Sequence, residues 1–357
     1  MCDFSRYGGR SNEWLAIEAE LPHSAAGLNQ DVLELQAAVN REREEIASSD
    51  MQVLSDRVKI LDHSITTRDG ANIESRSYRP ALRDEHEKLP TYMHLHGGGF
   101  LFGTLASEDA ICSRIAVNAS VVVLNVNYRH TPKFTYPTAW NDTEDAFVWL
   151  HANIAKLGGD NRKVILGGIS AGAQLVAAVT LGKHLQNLGA AAQACPSIAG
   201  QVLMIPCLVH MDCYDGHMSR MVNQSVSSYV ENADAPILPQ SIITKFLSLL
   251  KVDNPEPQDL ALNPGNVTPE QVKGLPPTII GVAGLDPLRD EGLLYAKMLT
   301  EAEVPTKTHI FPGLPHGFRR YGNKLSESKR WDKVIEDGII WAIKGPKSSK
   351  DFTIEDK

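Results

Sequence analysis

No run of about eighteen apolar residues, the length a membrane-spanning helix needs, occurs anywhere in this chain of 357 residues. The opening stretch MCDFSRYGGRSNEW lacks the apolar h-region of a secretory signal. Cysteine is sparse: Cys2, Cys112, Cys195, Cys207 and Cys213 make an odd, scattered set without a C-x-x-C pair. That pattern argues against a disulfide framework and for reduced thiols. With no span and no signal, the expected location is cytoplasmic. Four N-x-[ST] triplets, at Asn118, Asn141, Asn223 and Asn266, carry no weight without a signal. Clusters of Lys and Arg are missing too. The net charge of -8 and sequence pI of 5.8 argue against nucleic acid or an anionic membrane as the main partner. A small, neutral or apolar ligand is expected instead.

What is present is an ordinary globular composition, 43% hydrophobic, enough for one large domain or two small ones. Residues 1 to about 55 are rich in Ala, Glu and Leu and have no strand character. Leu28 to Ile46 reads as a helix with Val32, Leu33, Leu35, Ala38 and Val39 on one side. From Val58 the pattern changes, and VKILDHSITT and ANIESRSYRP around Arg68, Asp69 and Gly70 read as a hairpin. Strand-like runs follow at 91–95, 121–128, 164–168, 201–206, 278–284 and 308–311, separated by helical stretches such as TEDAFVWLHANIAKL and AGAQLVAAVTLGKHLQ. Short Val/Ile-rich runs without strict alternation suit strands buried on both faces of a largely parallel sheet. The fold class is therefore α/β.

The rhythm breaks between Cys207 and about Pro276, a stretch with one helical segment, ILPQSIITKFLSLLK, and no strand. So long an insertion is usually functional. The resulting division is 1–55, a helical segment; 56–206, the first part of the core; 207–275, the insertion; 276–345, the second part of the core; and 346–357, a charged tail expected to fray.

Two short stretches carry chemistry. In VILGGISAGAQLVAA, residues 164 to 178, Gly168, Ser170 and Gly172 form G-x-S-x-G at the end of a buried strand and the start of a helix. There the flanking glycines let the chain turn sharply and expose the serine hydroxyl. Chance alone puts this pattern in on the order of one chain in ten of this length, so the strand-to-helix context matters. A nucleophilic serine needs a base and the base needs an orienting acid, following in the order Asp/Glu then His, each just past a strand end. Asp286 follows TIIGVAG, and His316 follows THIF in FPGLPHGF. Asp290 competes with Asp286, but with Glu291 it falls in the first turn of a helix, where a carboxylate serves the helix dipole. The other stretch is HLHGGGF, 94 to 100, whose Gly97, Gly98 and Gly99 offer bare backbone where an oxyanion would sit. An HGGG loop after the third strand, with the N–H of Ala171, makes such a hole in lipases and esterases.

HGGGF, then YRHTPKFTYPTAWND, LGGDNRKVILGGISAGA, DPLRDEG and FPGLPHGF resemble, in order and approximate spacing, the hormone-sensitive-lipase-like family of α/β-hydrolases, over about residues 58 to 343. The resemblance implies an α/β-hydrolase fold, a mostly parallel sheet flanked by helices, under a helical cap made of 1–55 and 207–275. It implies a serine carboxylesterase that uses no metal or organic cofactor, as a monomer or homodimer. Carried over, Ser170 is the nucleophile, His316 the base and acid, and Asp286 its orienter. The N–H groups of Gly98, Gly99 and Ala171, with Gly97 beside them, form the oxyanion hole. Two positions depart from the family: Ile169 stands where it has Asp or Thr, and Lys133 where it has Glu. The substrates implied are small to medium uncharged esters.

Other features have plainer readings. His94 and His96 alternate on one strand and form an H-x-H pair, but no Cys/His cluster completes a metal site. His96 is expected to brace the glycine loop, with Gly168 and Gly172 supporting the serine. His210, His217, Asp212 and Asp215 are expected to be solvated polar residues or, less simply, ligand contacts. Phe246, Leu247, Leu249 and Leu250 have helical spacing and either pack or line an acyl pocket. Two alternatives to hydrolysis stay open: a silent ligand-binding receptor, as the gibberellin receptors of this family are, and acyl transfer or thioester release through the same acyl-enzyme.

Overall fold

In a computed structural model of the chain, residues 1–21 and 31–357 are described. Eight strands form one sheet in the order β1-β2-β4-β3-β5-β6-β7-β8. They are β1 (Val58–Thr66), β2 (Asn72–Pro80), β3 (Leu89–Leu95), β4 (Val122–Val126), β5 (Gly159–Ile169), β6 (Gly200–Met204), β7 (Thr278–Leu285) and β8 (Thr306–Pro315). β1 and β2 are the expected hairpin, closed from Thr66 against Asn72, with Gly70 at φ 80° in the turn. β2 runs antiparallel to β4, and every pair from β4 to β8 is parallel.

The missing alternation has a plain cause. Val122, Leu124 and Val126 of β4 and Val164 and Leu166 of β5 enter one apolar core, whereas Val123 and Ile165 between them enter the other. Both faces are covered, so both parities are apolar. The helices Thr138–Asn153, Ala171–His184 and Arg289–Glu301 cover the first face, and Asp109–Ala119 and Glu327–Ile343 the second. Thr138–Asn153 starts five residues ahead of the stretch expected from its apolar pattern.

The segments foreign to the alternation are helical. The long helix is Val32–Met51, capped by the Asp31 side chain, which accepts from the N–H groups of Leu33 and Glu34. It runs past the expected end at Ile46, and expected positions 28–30 lie outside the described residues. Its docked face matches the expected one only in part, with Val32, Leu35 and Val39 half-buried. Leu33 is 57% exposed and Ala38 is exposed, whereas Gln36, Asn40, Arg43 and Glu44 are half-buried. The first residues are tied down elsewhere: Trp14 is fully buried in the second core, and Cys2 pairs with Met221 of the insertion through bonds from its N–H to Arg220 O (2.8 Å) and from Val222 N–H to its carbonyl (2.9 Å). Residues 207–275 hold short helical turns and the helix Gln240–Leu250, without a strand.

The C-terminal tail corrects its expectation. Glu355 lies beside β8, accepting from Ile310 N–H (2.9 Å) and donating to Thr308 O (2.8 Å), while Arg330 donates to its carbonyl (2.7 Å). A sheet edge leaves unpaired backbone groups, and this tail satisfies two of them. Phe352 and Ile354 pack on the core beside it.

Candidate active site

β5 ends at Ile169 and a helix begins at Ala171. Ser170 between them sits at φ 55°, ψ -119°, a conformation non-glycine residues adopt only where the surroundings over-determine it. The surroundings do so here. Its N–H donates to Met204 O of β6 (2.9 Å). A Cβ on Gly168 would overlap the backbone of Gly172, and one on Gly172 would overlap the carbonyls of Leu95 and His96. Chain crossing this tight admits only glycine.

Asp286 follows β7 directly and His316 follows β8 directly, so three parallel strands deliver three side chains to one end of the sheet. Ser170 Oγ lies 2.8 Å from His316 Nε2, and His316 Nδ1 lies 2.7 Å from Asp286 Oδ2. Asp286 Oδ1 accepts from Leu288 N–H (2.9 Å). The carboxylate is thus aimed by its own loop, which Asn232 of the insertion also braces by donating to the Asp286 carbonyl (3.1 Å). Asp286 is 1% exposed, Ser170 9% and His316 8%. This arrangement lets the imidazole take the hydroxyl proton while the carboxylate holds the other ring N–H.

Asp290 and Glu291 stand in the first turn of the helix Arg289–Glu301, as expected, but both are turned inward. Asp290 is fully buried, accepts from Arg289 Nε (2.8 Å) and from Ser228 N–H (2.7 Å), and so anchors the insertion. Glu291, also fully buried, accepts from Leu208 N–H (2.7 Å). Burial, with Asp286 and Asp290 nearby, pushes its carboxyl well above the usual range.

The glycine loop lies against this corner, and each glycine is bare for its own reason. A Cβ on Gly97 would come 2.8 Å from Ile169 O, one on Gly98 would overlap Phe102 O, and one on Gly99 would overlap the Phe246 ring. Protein atoms, not open space, cover the Cα positions. What the loop leaves free is N–H. Among the described residues the N–H groups of Gly98, Gly99 and Ala171 have no protein acceptor. Their peptide carbonyls, by contrast, are pinned. Gly97 O accepts from Arg43 Nη1 (3.1 Å) and His96 Nδ1 (3.1 Å). Gly98 O accepts from the N–H groups of Leu101 and Phe102 (3.0 and 2.9 Å), and Ser170 O from those of Ala173 and Gln174 (2.9 and 3.1 Å). In a planar trans peptide the N–H points opposite to the C=O, so fixing each carbonyl aims the next N–H.

His94, in β3, and His96, just past its end, part company. His94 Nε2 meets Glu108 Oε2 (2.9 Å). His96 braces the loop, stacked on Tyr128 at 4.3 Å, with His130 Nε2 3.3 Å from its own Nε2. Burial holds His96 down to about 4, so at neutral pH it is uncharged and its Nδ1–H serves Gly97. Of the departures, Ile169 places Cγ2 3.3 Å from where a Gly97 Cβ would stand, and the exposed Lys133 lies over the Phe134 ring. In the insertion His210 and His217 are buried. They accept from Asp212 N–H (3.3 Å) and bond to Gly265 O (3.2 Å), so they hold the insertion's own backbone. Asp212 and Asp215 are exposed. The apolar stripe divides: Leu250 is buried in the core, and Phe246 reaches the glycine loop. Sequence reasoning missed Arg43, Glu108 and Asn232, because nothing local marks a long-range partner. Tyr128 and His130 stood in YRHTPK, and their aromatic character beside a strand end was the available signal.

A serine on a strand-to-helix corner, hydrogen-bonded to a histidine that an aspartate orients, beside unpaired backbone donors, defines a serine-hydrolase type of site on an α/β-hydrolase sheet. The family profile described as alpha/beta hydrolase fold matches residues 92–320. The chain is 31% identical over 293 residues to the esterase LipI of Mycobacterium tuberculosis, covering 81% of this chain and 84% of that one. It superposes on the hyperthermophilic esterase of Pyrobaculum calidifontis with a TM-score of 0.74 at 28% identity, over 93% of this chain and 98% of that one. It also superposes on vibralactone cyclase with a TM-score of 0.81 at 24% identity, over 95% and 96%, a likeness that at this identity speaks for the fold. The chain belongs to the hormone-sensitive-lipase-like family of α/β-hydrolases.

Proposed function

We propose that this protein is a serine carboxylic ester hydrolase acting through Ser170, His316 and Asp286. The observation that carries the reading is the pair of contacts at 2.8 and 2.7 Å linking the three side chains, and relatives named esterases support it. Ser170 Oγ attacks the ester carbonyl as its proton passes to His316 Nε2, and Asp286 Oδ2 holds the Nδ1–H of the resulting imidazolium. The carbonyl oxygen, now negative, takes hydrogen bonds from the N–H groups of Gly98, Gly99 and Ala171. Each such donor is worth about 3 to 4 kcal/mol where one has been removed in other enzymes. The tetrahedral adduct collapses, the alcohol leaves with the proton from His316 Nε2, and water activated by the same nitrogen hydrolyses the acyl-enzyme.

Residues 1–55 and 207–275 act in this reading as a cap over the site. The bridge between Cys2 and Met221 and the contact of Phe246 with Gly99 support it. Small to medium esters with short or medium acyl chains are the proposed substrates. Among the described residues no helix is long and apolar enough to cross a membrane, and with five free thiols a cytoplasmic location is proposed.

The test is a fluorophosphonate probe with peptide mapping, beside a p-nitrophenyl ester series from acetate to decanoate. Labelling of Ser170 with turnover is expected, and Ser170→Ala should abolish both while the protein stays folded. Substantial hydrolysis by the purified variant would overturn the assignment.

A further inference from the structure

Arg43 stands on the N-terminal helix, far in sequence from every group in the proposed mechanism. Yet its Nη1 donates to Gly97 O (3.1 Å), and that carbonyl belongs to the peptide whose N–H is Gly98's. Its Nη2 is held by Glu108 Oε1 (2.8 Å), and Glu108 Oε2 meets His94 (2.9 Å). Burial by itself would raise the Glu108 carboxyl, but the hydrogen bond from His94 and the charge of Arg43 outweigh it and hold it down to about 2. The guanidinium is therefore fixed from one side by a permanent anion and spends its other arm on one peptide of the loop.

The rest of the helix face follows the same line. Gln36 Nε2 donates to Leu101 O (2.5 Å), Asn40 Oδ1 accepts from Gly103 N–H (2.8 Å) and Glu44 Oε1 accepts from Thr104 Oγ1 (2.6 Å). Positions 36, 40, 43 and 44 share one side of a helix, and all four meet the loop from 97 to 104. Only Arg43 touches a peptide that carries one of the free donors.

We infer that Arg43 is a positioning residue for the oxyanion hole: from the N-terminal helix it pins the carbonyl of the Gly97 to Gly98 peptide, with His96, and so aims the Gly98 N–H at the reacting carbonyl oxygen. A cation bonded to that carbonyl also polarises the peptide and strengthens its N–H as a donor. The helix is thus part of the catalytic apparatus rather than a cover alone. The inference rests on the ester hydrolase reading for its activity assay.

The test compares Arg43→Met, Arg43→Lys and, as a control on the same helix face, Gln36→Leu, by ester kinetics, fluorophosphonate labelling rate and thermal unfolding. Arg43→Met should lower kcat and the labelling rate by about 10- to 100-fold with KM within about threefold. Arg43→Lys should recover part of the loss, and millimolar guanidine should raise kcat of Arg43→Met. Gln36→Leu should lower Tm without lowering kcat comparably. Equal kcat losses in Arg43→Met and Gln36→Leu, or no loss in Arg43→Met, would overturn the inference. If the wild-type protein hydrolysed no ester, the functional reading would fail by itself. Arg43 would still be judged by the labelling rate, since phosphonylation of Ser170 puts an oxygen in the same hole.

Discussion

The ring of Phe246, on the insertion helix Gln240–Leu250, rests against the bare Cα of Gly99. This contact joins the insertion to the loop that offers backbone donors beside Ser170. It also explains why Gly99 has no side chain. The third glycine makes room for an aromatic ring above the loop, and its positive φ of 61° is a conformation that glycine adopts without strain.

Gly99→Ala should therefore be costly twice. The left-handed conformation disfavours a Cβ by about 1 to 2 kcal/mol, and the new methyl would overlap Phe246. Phe246→Ala should relieve the second cost, so the double variant is expected to be more stable than the sum of the single changes predicts, by about 1 kcal/mol or more. Urea unfolding of the four proteins measures this. Strict additivity would mean the ring does not press on the loop in solution.

The two aspartates near β7 should separate cleanly. Asp286→Asn should slow kcat by roughly 10³- to 10⁴-fold with little change in Tm: the amide oxygen can still accept from Leu288 N–H, which turns the NH2 toward His316, favours the wrong imidazole tautomer and removes the charge that stabilises the imidazolium. Asp290→Asn should act on stability instead. It weakens a buried pair with Arg289 and the hold on Ser228, at a cost of about 3 kcal/mol. Steady-state kinetics beside calorimetry decides, and a larger kcat loss in Asp290→Asn would reassign the acid.

Acid sensitivity should come in part from His217, which is 2% exposed. Burial, then the nearby charge of Arg220, holds it down to about 4, against 6.5 for the free side chain. Between those values the unfolded chain binds a proton that the folded one refuses. Its contribution to stability is therefore complete above pH 6.5 and lost as pH falls toward 4, by on the order of 3 kcal/mol. His217→Gln should show a shallower fall in urea midpoint from pH 7 to 4.5 than the wild type. Parallel curves would assign the acid loss to other groups.

Removing residues 351–357 should uncover the β8 edge. The bonds from Ile310 and to Thr308 disappear with the packing of Phe352 and Ile354. A lower Tm and concentration-dependent association are expected, since an open edge templates pairing. Light scattering against protein concentration checks it, and an unchanged monomer of unchanged Tm would show the tail contributes nothing to the edge.

What the sequence determined by itself was whatever rests on neighbours along the chain. The two-parity apolar runs of β4 and β5 announced strands buried on both faces. The hairpin turn at Gly70 and the corner at Gly168, Ser170 and Gly172 were likewise legible, because sharp turns demand particular residues in immediate succession. The order of Ser170, Asp286 and His316 could be read because each follows a strand, and parallel strands end on one side. Tertiary structure decided everything that crosses between segments. It set the docked face of the helix Val32–Met51, which adds Gln36, Asn40, Arg43 and Glu44 to Val32, Leu35 and Val39 and leaves out Leu33 and Ala38. It drew Asp290 and Glu291 inward as anchors of the insertion and placed Glu355 on the β8 edge. It also gave three adjacent glycines three different partners, Ile169, Phe102 and Phe246. Hydrogen bonds and close contacts between distant segments depend on distances that only the assembled sheet fixes, and a polar side chain carries no periodic signal of where its partner will be.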